Sequence, residues 1–109
     1  MNIKIIDYRI QQIIHNISDD FRFSNKHEKH APFFYSVEAT HEIDKSSYEG
    51  IIEYITISQK SIKEEIIWKQ KLIDENSKIE DQKLLEVMKI IEKEYEELYT
   101  FLTTLNHTF

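Results

Sequence analysis

Apolar side chains recur every three or four positions through the last third of the chain, from Ser77 to the C-terminus. This spacing keeps side chains on one face of an α-helix, and neither Gly nor Pro interrupts it. The apolar positions are Leu84, Val87, Met88, Ile91, Tyr95, Leu98, Phe101, Leu102 and Leu105. We therefore predict one long amphipathic helix over 78–106. So long an apolar face must pack against the rest of the chain or against a partner, because its exposure to water is unfavourable.

A second helix is predicted over 47–75. Ser46 followed three residues later by Glu49 is a capping-box pattern, which marks the start of a helix. Isoleucines then continue at helical spacing, with a weak point at Ser58 and Gln59. The length of this run favours one continuous helix.

The first part of this helix has an alternative interpretation. Residues 51–58 are rich in β-branched side chains, which favour strands, and Ser61 with Glu64 offers a later capping box. Under this alternative, 51–58 is a strand that pairs with 33–39, and the helix begins at Ile62. The chain would then have an α+β fold with a two-stranded hairpin.

The junction between the two long helices has a clearer signal. Asn76 favours the left-handed conformation that ends a helix, and Ser77 with Glu80 forms another capping box. One helix should therefore end at about Glu75 and the next begin at about Lys78. A link this short requires the two helices to form an antiparallel hairpin.

The N-terminal region predicts a third long helix over 3–21. Its apolar stripe comprises Ile6, Ile10, Ile13, Ile14, Ile17 and Phe21. The polar stretch 24–32 is typical of a loop, and 32–43 is expected to be a short fourth element or a flap. The predicted fold class is mainly α: a small helical bundle, built on the hairpin, as one domain over 1–109.

Charge and composition narrow the classes of partner. The chain has 20 acidic residues against 14 basic ones and a net charge of −6, so we expect no nucleic-acid partner. No stretch approaches the ~18 consecutive apolar residues of a membrane span, and Asp7 with Arg9 argues against a signal peptide. The absence of cysteine excludes disulfides and thiolate chemistry. We expect a cytoplasmic protein with no membrane partner.

No pattern in the chain predicts catalysis. His27 and His30 are spaced for a shared metal on a helix, but no further ligand completes a site. Arg22 with His27 has the Arg-x4-His spacing that occurs in HEPN-type ribonucleases, but the chain matches nothing else of such a family. Acidic residues lie off the apolar stripes, as on ordinary solvated helix faces. We predict no catalytic residue, no metal and no cofactor, and we expect the two histidines to be exposed.

The helix over 47–75 also carries apolar residues outside its main stripe. They predict a second apolar face, which can lie centrally in the bundle or contact another chain. Acidic residues on the same helix add negative charge. The predicted partner-binding residues are Tyr54, Ile57, Glu64, Glu65, Ile67 and Trp68.

These features together favour a non-enzymatic cytoplasmic protein that occludes a protein partner. The small size, acidic surface and spare aromatic side chains are typical of an inhibitor or immunity protein that neutralises a basic toxin or nuclease. Opposite charges would accelerate such an association. The alternative is a structural or adaptor protein whose helical hairpin forms a homodimer.

Overall fold

A computed structural model of the protein describes residues 2–24, 28–76 and 79–109. The elements in chain order are β1 (Ile3–Lys4), α1 (Tyr8–Phe23), a 3₁₀ turn (Glu28–His30), α2 (Ala31–Thr40), β2 (Glu42–Ile43), α3 (Lys45–Asn76) and α4 (Ile79–Thr104). The predicted mainly α fold is confirmed. None of the helices in these ranges combines the length and the apolar character needed to cross a membrane.

Helix α1 begins at Tyr8, later than the predicted start at residue 3. The carboxylate of Asp7 caps the helix by accepting hydrogen bonds from the backbone N–H groups of Arg9 at 2.9 Å and Ile10 at 3.3 Å. The residues before the cap form β1, which pairs with β2 in a small antiparallel sheet.

Because the chain is extended before α1, the burial of Ile5 and Ile6 differs from the prediction, which placed Ile6 on the buried stripe. Successive side chains of an extended segment point to opposite sides, so Ile5 is buried and Ile6 is exposed. The prediction that Ile6 belongs to the buried stripe is therefore wrong. The backbone N–H of Ile5 donates to the carbonyl oxygen of His41 at 2.7 Å, which ties the segment to the end of α2.

Helix α2 accounts for most of the region predicted as a short fourth element. Pro32 lies in its first turn, where the missing N–H sacrifices no helical hydrogen bond. The helix ends at His41, whose φ of 54° is left-handed and whose backbone N–H donates to Val37. This reversal directs the chain into β2.

Helix α3 runs without interruption, so the alternative strand over 51–58 is wrong. Its buried side chains follow the helical period from Ile51 to Ile62. Ser61 accordingly lies within the helix and does not cap one.

The cap of α3 also differs from the prediction. Asp44, and not Ser46, precedes the helix and accepts a hydrogen bond from the backbone N–H of Ser47 at 2.7 Å. This hydrogen bond lowers the pKa of the Asp44 carboxyl. The N-cap therefore lies two residues before the predicted one at Ser46.

Helices α3 and α4 form the predicted antiparallel hairpin. Lys69 Nζ lies 3.5 Å from Asp81 Oδ1 near the connection, and the hydroxyls of Tyr54 and Tyr95 lie 3.5 Å apart farther along. The predicted cap at Ser77 and start at Lys78 lie outside the described residues.

The core is densest where aromatic rings from three helices meet. The ring centroids of Phe21, Phe34 and Tyr54 are 5.0 to 5.4 Å apart in tilted and edge-on arrangements. Isoleucines of α1 and α3 surround this cluster; the fully or almost fully buried ones include Ile13, Ile14, Ile17, Ile51 and Ile55.

Only part of the hairpin is covered by the other helices. The molecule measures 52 × 27 × 23 Å, and α3, with 32 residues, is about 48 Å long. Helix α1 has 16 residues and a length of about 24 Å. We call residues 63–76 and 79–91 the hairpin tip and the remaining described part the body. Hydrogen bonds and ion pairs between described tip side chains stay within the hairpin, as between Lys69 and Asp81.

Candidate functional site

Several large apolar side chains of the hairpin tip are exposed to solvent. Trp68 of α3 is 60% exposed, and Leu84 and Val87 of α4 are 46% and 51% exposed. The sequence pattern placed Leu84 and Val87 on the buried stripe of α4, and this prediction is wrong. The neighbouring Leu85 is buried instead.

These three residues share one side of the hairpin. Val87 precedes Glu94 by seven residues, and Glu94 accepts a hydrogen bond at 3.0 Å from Asn16 of α1. Trp68 follows Ser61 by seven residues, and Ser61 lines a cleft at the end of α1. Residues seven apart lie on the same helix face, so both side chains lie on the side where α1 packs.

Helix α1 ends before it reaches them. Its last residue, Phe23, is itself exposed and borders the same side. The tip therefore presents an apolar face that a third helix covers in the body but not here. We call Trp68, Leu84 and Val87, together with Phe23, the tip surface.

The structure does not bring the predicted partner-binding residues onto one face. Tyr54 is buried in the aromatic cluster, so its prediction as an exposed contact residue is wrong. Ile57 and Trp68 are exposed on one side of α3, whereas Ile67, also exposed, projects about 100° away from Trp68. Glu64 and Glu65 are also exposed.

A cleft of about 360 Å³ lies between the end of α1 and the hairpin. Asp20 and Phe23 border it from α1, Ser58 and Glu65 from α3, and Tyr95 from α4. We call it the α1-end cleft. No basic residue is among the described residues that line it.

Burial changes the ionisation of two groups in this cleft. Desolvation raises the pKa of the Tyr95 phenol, and the adjacent Tyr54 hydroxyl raises it further. Partial burial likewise raises the pKa of Asp20, and the negative charges of Asp19 and Glu94 act in the same direction. The cleft therefore holds a neutral phenol and a carboxylate, and no cation is among its described lining residues.

A polar cluster joins α1 to α2 on another side of the body. Arg22 donates hydrogen bonds to the carboxylates of Asp19 and Glu38, and its guanidinium lies 5.2 Å from the centre of the Tyr35 ring. His15 Nδ1 lies 3.2 Å from Glu38 Oε2. Both carboxylates thus engage Arg22 and join α1 to α2, and we call this cluster the clamp. His27, the other residue of the Arg-x4-His spacing, lies outside the described residues.

The clamp predicts a pH dependence of stability. Desolvation raises the pKa of Glu38, but the hydrogen bond and charge of Arg22 outweigh it, so the net pKa lies below its ordinary value. A depressed carboxyl pKa contributes stability that is present above the unfolded-state pKa and is lost as the pH falls through the folded-state pKa. Glu38→Gln should therefore lower the free energy of unfolding by about 1 kcal/mol at neutral pH.

Urea denaturation at a series of pH values measures the free energy of unfolding of Glu38→Gln and of the wild type. The difference between Glu38→Gln and the wild type should shrink as the pH falls below about 4. Glu86→Gln, which alters an exposed carboxylate without an ion pair among the described residues, is the matched control. A difference for Glu38→Gln that stayed constant down to low pH would contradict the clamp.

His30 is buried, against the expectation of an exposed loop histidine. It ends the 3₁₀ turn, its ring lies 5.7 Å from that of Tyr54, and its Nε2 is 3.4 Å from Glu53 Oε1. His30 and then the charge of Lys29 lower the pKa of Glu53. No signal in the sequence distinguishes this histidine from an exposed one, because its burial depends on α3.

Within the described ranges, no three or more histidines and carboxylates are grouped so that they could hold a metal ion. In comparisons with known proteins, no family model, curated protein or solved structure matches this chain. The function of this chain must therefore be inferred from its own surfaces.

Proposed function

We propose that this protein is a non-enzymatic binding protein that docks an amphipathic helix of a protein partner on the tip surface. The observation that carries the proposal is the exposure of Trp68, Leu84 and Val87 on the side of the hairpin that α1 covers only in the body. A partner helix placed beyond the end of α1 would cover these three side chains, just as α1 covers the same side of the hairpin in the body. Tryptophan is also among the residues that contribute most to binding at interfaces.

The distribution of charge supports a basic partner. Residues 63–91 contain seven acidic and six basic residues, so they are nearly neutral. The rest of the chain contains thirteen acidic and eight basic residues and therefore carries most of the net charge of −6. A basic partner would be attracted by the body and would make its apolar contacts at the tip. Within this class we favour a cytoplasmic inhibitor or immunity protein that occludes a basic toxin or nuclease.

Substitution of Trp68 tests the proposal. Tagged wild-type protein and Trp68→Ser are used to capture partners from cells of the native host, with quantification by mass spectrometry at low and high salt. We expect Trp68→Ser to reduce stoichiometric capture at least about tenfold, because an interface tryptophan often contributes 2 kcal/mol or more. Capture by the wild type should also weaken as salt rises.

Ile6→Ser is the matched control. Ile6 is also a highly exposed apolar side chain, but it lies beside β1 and away from the tip. It should leave capture unchanged. Equal capture by wild type and Trp68→Ser, or equal loss with Ile6→Ser, would refute the proposed surface.

The second candidate is a homodimer formed through the same surface. The near neutrality of 63–91 favours it, because two copies would meet there with little repulsion. Light scattering distinguishes the candidates: a dimer in the wild type that becomes a monomer in Trp68→Ser supports the adaptor alternative. A monomer in both leaves the surface for a different protein.

A further inference from the structure

The α1-end cleft has the size of a ligand site. Its volume of about 360 Å³ falls in the range of clefts that hold small molecules or single side chains. It is bounded by three helices: the last turn of α1, the middle of α3 and Tyr95 of α4. Ser24, which directly follows α1, also lines it, so its shape depends on the packing of the three helices and on the end of α1.

The charged groups among the described residues that line the cleft are all negative. Asp20 and Glu65 line it from opposite elements, α1 and α3, and no lysine or arginine is among the described lining residues. Glu94 lies close enough to Asp20 for the two charges to interact. An uncompensated negative field in a partly enclosed space attracts a cation.

The apolar part of the cleft is aromatic. Phe21, Phe23, Tyr54 and Tyr95 contribute to the lining. Aromatic rings can attract a positive group through their negative faces and give apolar surface to an alkyl stem. Carboxylates combined with aromatic faces are a suitable environment for an ammonium or guanidinium carried on a hydrocarbon chain.

Ser58 supplies an independent observation. It is only 8% exposed and lines the cleft, yet its hydroxyl has no hydrogen-bond partner in the described part of the chain. Thr56, on the same helix, instead donates its hydroxyl to the carbonyl oxygen of Ile52 at 2.8 Å. The Ser58 oxygen is not among the fully enclosed, unpaired polar atoms of the described residues, so it is reachable from the cleft and available to a ligand.

We propose that the α1-end cleft binds an organic cation, either an alkylammonium or an alkylguanidinium. Asp20 and Glu65 balance its charge, and the aromatic rings contact its alkyl stem. The Ser58 hydroxyl oxygen accepts a hydrogen bond from one of its N–H groups. The cation is the side chain of a lysine or arginine of a partner, in which case the inference rests on the proposed function, or it is a free amine.

The test uses NMR titration of the purified, full-length protein with four defined probes. They are N-acetyl-lysine methylamide, N-acetyl-arginine methylamide, 1,5-diaminopentane and the neutral N-acetyl-norleucine methylamide. We expect the cations to shift the amide signals around Asp20, Ser58 and Tyr95, and the neutral probe to bind at least about fivefold more weakly. Tighter binding of a capped amino acid than of the diamine identifies a protein side chain as the source, and the reverse order identifies a free amine.

Matched substitutions locate the site. Asp20→Asn and Glu65→Gln should each weaken binding about fivefold, whereas Glu64→Gln should leave it unchanged, because Glu64 is the adjacent exposed carboxylate and does not line the cleft. Ser58→Ala should weaken binding about threefold without lowering the thermal midpoint, since its hydroxyl makes no internal hydrogen bond. A purely structural serine would show no effect on binding.

Failure of this inference is distinguishable from failure of the proposed function. If no cation binds, or Glu64→Gln weakens binding as much as Glu65→Gln, the cleft is not a cation site, whatever Trp68→Ser does to partner capture. If the cations bind as expected while Trp68→Ser still captures a partner normally, the cleft inference holds and the tip surface is wrong.

Discussion

Replacing Tyr54 with alanine is expected to lower the free energy of unfolding by about 3–5 kcal/mol, the usual cost of deleting a large buried aromatic side chain. Tyr54 is only 8% exposed, and its ring centroid lies 5.1 Å from that of Phe21 and 5.0 Å from that of Phe34. Truncation would leave a cavity among these rings and remove the hydroxyl 3.5 Å from that of Tyr95. Urea denaturation followed by circular dichroism measures the change.

Trp68→Ala is the matched control for Tyr54→Ala. Both are large aromatic residues of α3 that the sequence pattern assigns to the same partner-binding face, but Trp68 is mostly exposed. Its removal should change the free energy of unfolding by less than about 0.5 kcal/mol. A loss comparable to that of Tyr54→Ala would mean that the tip surface is covered within the folded protein, and the proposed function would fail with it.

Replacing Gly50 with alanine is expected to destabilise the protein by about 1–3 kcal/mol. Sequence considerations alone predict the opposite sign, because alanine is favoured over glycine within a helix by about 1 kcal/mol. Gly50 is the only glycine of the chain and lies in α3 where α2 packs closely. A β-carbon at this position would overlap the ring of Phe33.

A double-mutant cycle with Phe33→Ala isolates the cause. In the Phe33→Ala background the overlap is removed, so Gly50→Ala should become neutral or stabilising through its helix propensity. Chemical denaturation of the four proteins measures the coupling between Gly50 and Phe33. An equal loss in both backgrounds would show that the close approach of α2 and α3 does not set the requirement for glycine.

The caps show how far local signals could predict the helix starts. Asp7 and Asp44 immediately precede α1 and α3, and aspartate is a strong N-cap residue, so the sequence contained both signals. The capping-box pattern at Ser46 instead predicts a cap two residues after the one that Asp44 provides. Ile6 was then misassigned because a helical period was extended across residues that pair with β2.

The candidate site depended far more on tertiary context. Trp68 was identified because it lies off the main stripe of its helix, which is a local property. Leu84 and Val87 were missed because they lie on the apolar stripe, which in a complete bundle is buried. The α1-end cleft had no sequence signal, since Asp20, Ser58, Glu65 and Tyr95 meet only through the packing of three helices.

The sequence by itself determined the helical class and the antiparallel hairpin, because periodicity, helix-ending residues and a short link act over a few neighbouring positions. It favoured a continuous α3 but left a strand over 51–58 open, and the structure decided that point. Only the tertiary structure decided which apolar residues are exposed. A helix α1 of 16 residues covers about half the length of the 32-residue α3, so the same stripe is core in the body and surface at the tip. Whether a side chain is buried depends on the elements that pack against it. Here the length of α1 decides which apolar side chains of α3 and α4 are covered.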